Sequence, residues 1–140
     1  MHVFREKWEG EEAMMDWDRW PNFSRDEFEC HCGCGRADME ASFMDVLQEV
    51  RTAAKFPFFI TSGFRCPAHN ASIGGGPEHV LGKAADIHVY FGHAWTLNAA
   101  AARLGVPRIG WRQKGPIDKR FIHLGTAGPD EAPSPRVWSY

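Results

Sequence analysis

The chain has no apolar run approaching the ~20 residues that a helix needs to cross a bilayer, so membrane insertion is not expected. It also lacks a surplus of positive charge. Its 16 Lys and Arg stand against 18 Asp and Glu, a formal net charge of −2. Phosphate backbones are bound through a basic face, so no nucleic-acid partner is expected. The start, MHVFREKWEGEEAMMDWDRW, lacks the short apolar run and small-residue cleavage site of a secretory leader. Synthesis in the cytoplasm without a signal peptide is therefore the expectation. Internal repeats are missing, and the 140 residues leave room for one domain. A domain of that size buries roughly two-thirds of its unfolded surface, enough for a core without staples. In surplus are 6 Trp, 10 Phe and 7 His, together with 4 Cys.

Residues 1–20 mix acids and tryptophans without a period and read as an N-terminal extension; residues 21–140 read as the domain. Ser24-Arg25-Asp26-Glu27 has the form of a capping box. Cys30-His31-Cys32-Gly33-Cys34-Gly35 is too glycine-rich for regular structure, and Asp38 is placed to cap the next helix. Phe43, Leu47, Val50 and Ala54 share one helical face and predict a helix near 39–54. Phe58 to Thr61 predicts a buried strand. Residues 65–83, rich in glycine and proline, predict loop. From Ala84 to Phe91 the pattern alternates, with Asp86, His88 and Tyr90 on one side and Ile87, Val89 and Phe91 on the other. An alanine-rich helix near 94–104 follows, closed by Gly105. Two strands are predicted near 108–111 and 120–124, then an irregular, proline-rich tail from Gly128 to Tyr140. Helices and strands without a βαβ rhythm predict an α+β domain, a central, mostly antiparallel sheet flanked by helices.

Three residues stand out as metal ligands. His79 precedes a strand, Asp86 lies on it, and His123 lies on a later strand. Two His and one carboxylate, with a fourth position left to water, make a catalytic zinc set. If the two strands are neighbours, Asp86 and His123 point into one cleft. Spacing alone does not separate such a set from hydrogen-bonded structural histidines.

The ordered motifs add to this. Thr61-Ser62-Gly63-Phe64-Arg65-Cys66, then His69-Asn70 and Gly74-Gly75, then His79-x-x-Gly82-x-Ala84-x-Asp86-Ile87, then Phe121-Ile122-His123-Leu124 resemble the zinc D,D-peptidases of peptidase family M15. The likeness is greatest to the short, single-domain branch common in bacteriophages and bacteria, and it runs from about Phe23 to Tyr140. It implies the Hedgehog/D,D-peptidase fold and Zn2+ held by His79, Asp86 and His123. It also implies that Arg65 is aimed at the substrate, where a guanidinium can hold a peptide carbonyl or a developing oxyanion.

The chain departs from the family around the last ligand. Many members carry a Glu or His two or three residues before it, where this chain has Phe121 and Arg120. Close relatives often carry an Asp two residues after it, where this chain has Gly125. Asp118 is the expected catalytic base, with His88 and Glu78 as the other substitutes.

Cys30, Cys32, Cys34 and Cys66 allow three readings: a structural zinc site, free thiols, or a disulfide joining Cys66 to one of the other three, the last being favoured. Trp111, Trp95, Tyr90 and Trp138 are candidates to line a sugar-binding groove, although most such residues fill cores. The resemblance implies a zinc metallopeptidase acting on peptide stems of bacterial peptidoglycan, as a D-Ala-D-Ala carboxypeptidase or an L-Ala-D-Glu endopeptidase. A phage or prophage enzyme of this kind acts at the cell wall or rides in the virion, with lysis or virion proteins as partners. The alternatives are a weak or inactive zinc-binding wall-binding or virion module, and a Hedgehog-like interaction domain.

Overall fold

The structure, a computed structural model, describes residues 15–140. Residues 1–14 of the segment read as an extension lie outside the described residues. Residues 15–20 join the domain: Trp17–Arg19 forms a 3-10 turn, and Trp20 is buried with its indole N–H donated to Asp45 (2.9 Å). Trp17 packs edge-on against Trp20 at 5.3 Å and near Phe28 at 5.5 Å. The capping box forms at Ser24 and Glu27, opening a 3-10 turn over Arg25–Phe28.

Helix α1 spans Ala41–Ala54, and all four residues of its predicted apolar face are buried, with Met44 beside them. Asp38 does not cap it. Its carboxylate takes the Arg36 guanidinium instead, and the N-cap is Glu40, whose N–H donates to Gly82 O (2.9 Å). The helix entrance is thereby tied to the loop carrying His79.

Strand β1 is Phe59–Ser62. It is an edge strand, so Ile60 is buried while Phe59 is 67% exposed, rather than the run being buried throughout. The stretch read as loop contains a short helix α2, Pro67–Ser72, with proline in its first turn. Strand β2 is Ala84–His88, and α3 begins at Phe91, three residues earlier than predicted, and runs to Arg103. Phe91 adopts φ 48° and lies 64% exposed, so the alternation ends before it. Strands β3 (Arg108–Arg112) and β4 (Phe121–Gly125) match the two predicted strands closely.

The tail is not irregular throughout. Arg136–Ser139 forms β5, which pairs parallel with β3. The sheet order is β1-β2-β4-β3-β5, antiparallel except for that last pair. This is the expected α+β class.

The pleat divides the sheet into two faces. Ala85, Ile87, Ile109, Ile122 and Leu124 are buried in the core with α1 and α3. On the opposite face a single row crosses all five strands. Ser62 pairs with Asp86, Asp86 with His123, His123 with Gly110, and Gly110 with Trp138. That row is the floor of the candidate site.

Candidate metal centre and its surroundings

Asp86 and His123 are direct cross-strand partners, so antiparallel register alone turns both side chains into the same space. His79 comes from the turn before β2, and all three residues are buried. One nitrogen or oxygen from each lies within 4.8 Å of the others. His79 Nε2 is 3.4 Å and His123 Nδ1 is 2.9 Å from the same Asp86 oxygen, Oδ1. The other nitrogen of each ring is held from behind. His79 Nδ1 donates to Gly63 O (2.7 Å), and His123 Nε2 donates to Glu78 Oε1 (2.7 Å). Outer hydrogen bonds of this kind fix tautomer and ring orientation in metal-ligating histidines. The donor set and its support fit zinc.

Burial and charge act against each other at each of these groups. Burial disfavours the Asp86 carboxylate, yet hydrogen bonds and charge from His123 and His79 hold its pKa far below the usual carboxylate range. Burial likewise opposes charge on Glu78, but the His123 hydrogen bond and charge, Arg108 and the Ala127 amide keep its pKa below the ordinary value. Burial opposes protonation of His123, and the two carboxylates that flank it overcome this and raise its pKa. Both ring nitrogens of His123 thus face a carboxylate. Replacing the Nδ1 proton by a metal cation leaves Nε2–H on Glu78.

Glu78 is tightly engaged. Its Oε2 accepts from Ala127 N (3.0 Å). Arg108 Nε stands 2.9 Å from Oε1 with its N–H turned off the line, an ion pair rather than a directed hydrogen bond. The carboxylate lies over Gly125. A Cβ at 125 would overlap all three of its carboxyl atoms. Glu78 thus approaches His123 from the loop, and glycine at 125 on the strand leaves room for it.

The centre lies in a cavity of about 400 Å³. Arg65 forms one wall. Its Nε donates to Ser62 Oγ (3.2 Å), and Nη2 lies 3.6 Å from Asp86 Oδ2. Trp138 and Tyr140 line another wall, with the Trp138 ring centroid 5.2 Å from that of His123. Gly110 allows this approach, since a Cβ there would overlap the Trp138 indole. Burial and the charge of Asp86 push the Tyr140 phenol pKa up.

The structure brings Arg65, His79, Asp86 and His123 together. It does not bring in Asp118, which is exposed on the 3-10 turn Ile117–Lys119 and does not line the cavity. His88 is also outside it; its Nδ1 faces Arg120 O (2.8 Å) and its ring meets Phe59 edge-on. Of the four aromatic candidates only Trp138 lines the cavity: Trp111 packs against the core, and Trp95 and Tyr90 point to solvent. Tyr140, Arg108 and Arg136 line it without having been singled out from the sequence.

The four cysteines form a second cluster, all four of them free thiols. Cys30 Sγ is 3.5 Å from Cys32 Sγ, and Cys32 Sγ is 3.6 Å from Cys66 Sγ. The favoured disulfide is not formed. Burial disfavours the Cys30 thiolate, but the Cys66 amide and the neighbouring Cys32 and Cys66 groups outweigh it and lower the pKa to about 7.

Two buried histidines and an aspartate at the floor of a cavity walled by an arginine could hold one metal ion on a small α+β scaffold. The chain belongs to the Peptidase M15 family, whose match covers residues 21–125. It is therefore a member of a zinc metallopeptidase family. The match ends at Gly125, so β5 with Trp138 and Tyr140 is a cavity wall outside it. No curated protein matches the chain. No helix among the described residues is long and apolar enough to cross a membrane.

Proposed function

We propose that the chain is a zinc-dependent peptidase acting on peptide stems of bacterial peptidoglycan. The observation that supports this best is the convergence of His79 Nε2, Asp86 Oδ1 and His123 Nδ1 beneath a cavity that Arg65 walls. Zinc bound there supplies Lewis-acid polarisation of a scissile carbonyl and a lowered pKa for water. The protein's own groups do the rest. Arg65, anchored through Ser62 Oγ, presents its guanidinium to a carbonyl or developing oxyanion. Glu78 holds His123 in register rather than collecting a proton, since donors already occupy both of its oxygens. Trp138 and Tyr140 offer flat apolar surface for a stem peptide or its sugar.

One observation favours a second reading. Among the described residues, Asp86 and Glu78 are the only carboxylates that line the cavity, and both are engaged. A slow or non-catalytic wall-binding module has the same features.

Purified peptidoglycan separates the two. The wild type is expected to release free D-Ala or cut stems, and His123→Ala to release nothing and to carry one zinc equivalent less. Zinc binding that depends on His123, without any released fragment, establishes the binding module instead. Analysis of the new termini distinguishes a D-Ala-D-Ala cut from an L-Ala-D-Glu cut.

A further inference from the structure

The peptidase reading leaves the cysteine cluster unused. Its sulfurs come from two places: three from the Cys30–Cys34 turn, and one from Cys66, the residue after Arg65. All four lie within 4.8 Å of one another. Zinc–thiolate bonds of about 2.3 Å in a tetrahedron put sulfurs about 3.8 Å apart. The observed 3.5 and 3.6 Å separations are close to that spacing and far from a disulfide bond. One sulfur, Cys32 Sγ, stands at nearly the same distance from two others. A disulfide selects one partner, whereas a metal draws all of them.

The backbone is arranged around the sulfurs as well. Cys66 N donates to Cys30 Sγ (3.3 Å), and His69 N donates to Cys66 Sγ (3.4 Å). Gly33 and Gly35 take φ of 88° and 80°, which allows alternate residues of a C-x-C-x-C run to turn inward. Cys30 N closes the turn on Arg36 O (2.8 Å). The Arg36 guanidinium, over the Phe64 ring, brings positive charge toward Cys34 and Cys66.

We propose that Cys30, Cys32, Cys34 and Cys66 form a second metal site, a closed four-thiolate centre for a soft divalent ion of the zinc class. Each ligating thiol gives its proton to solvent as the metal–sulfur bond forms. With four protein ligands no position is left for water, so the site is structural. It clamps the N-terminal turn to the start of α2. That helix in turn supplies Asn70, whose side chain amide holds Gly75 O and Gly76 O and whose Oδ1 faces Arg65 Nη1 (3.4 Å). The clamp thus stiffens the wall that carries Arg65.

The test uses the full chain purified under reducing conditions. The wild type is expected to hold about two zinc ions. His123→Ala and the double variant Cys32→Ser/Cys34→Ser, at two exposed positions, are each expected to hold one. Loading with Co(II) instead of zinc adds a readout that needs no folded cysteine variant. A thiolate-to-cobalt charge-transfer band is expected in both the wild type and His123→Ala. Its absence from His123→Ala overturns the proposal, as does an unreduced mass showing hydrogens lost to disulfides. Because the band is read in a protein lacking the histidine centre, its outcome is independent of the peptidase reading.

Discussion

The two clusters are built by opposite means. The His79–Asp86–His123 centre draws ligands spread over 45 residues and depends on sheet register to oppose Asp86 and His123. Its donors are nitrogen and oxygen, and it faces a cavity. The cysteine cluster takes three of its four sulfurs from five consecutive residues, where glycines bend the chain, and two of its four members are exposed. A rigid sheet suits a site that must keep a position open for substrate, whereas a turn suffices for one that only holds two segments together.

The largest expected effect breaks the first cluster and spares the second. On the proposed reading, His123→Ala should abolish hydrolysis and lower the zinc content by one equivalent, while the cobalt–thiolate band persists. Next comes Arg65→Ala. Loss of a group aimed at the developing oxyanion typically costs about 10²–10³ in kcat. Zinc content should be unchanged, and steady-state kinetics on a stem peptide measure the loss.

Glu78 separates support from chemistry. Outer partners of metal-bound histidines are worth about 10–100-fold in metal affinity, so Glu78→Ala should weaken zinc binding by that factor in a chelator competition. Gly125→Asp alone should destabilise the fold by about 1–3 kcal/mol, the usual cost of overpacking, because its Cβ overlaps the Glu78 carboxylate. Combined with Glu78→Ala, it places an acid beside His123 from the strand and should recover part of the lost affinity. If the double variant binds zinc no better than Glu78→Ala, the two positions are not interchangeable.

The sequence shows the first cluster more clearly than its surroundings. His79, Asp86 and His123 lie in ordered motifs, and the alternation of β2 and β4 correctly put the last two on one face. The four buried positions of α1 were equally readable, because a 14-residue helix repeats its pattern several times. Four-residue β5 offers no such repetition, follows two prolines at 133 and 135, and pairs parallel with a distant strand. Trp138 and Tyr140 therefore entered the cavity unannounced or as one candidate among several. Helix α2 is too short for periodicity, and Trp20 joins the core from a segment whose composition resembles a tail. The close approach of Glu78 to Gly125 is a matter of space between a loop and a strand. Its signal was present only as an absent acid at 125 and an acid next to His79.

The smallest expected effect concerns Asp118. A base must come within hydrogen-bond reach of the water it deprotonates, directly or through one further water. Asp118 meets the chemical requirement but sits on an exposed turn outside the cavity. The neighbouring Arg120 guanidinium is turned back onto Gly115 O (3.0 and 2.9 Å), which closes the turn on itself and away from the floor row. Asp118→Asn keeps shape and size while removing the charge, so kcat should stay within about twofold of wild type, in line with surface changes that touch no special feature. A loss approaching that of Arg65→Ala would mean that the turn swings over the cavity when substrate binds. The cavity of the sheet-built cluster would then have a further wall at this edge.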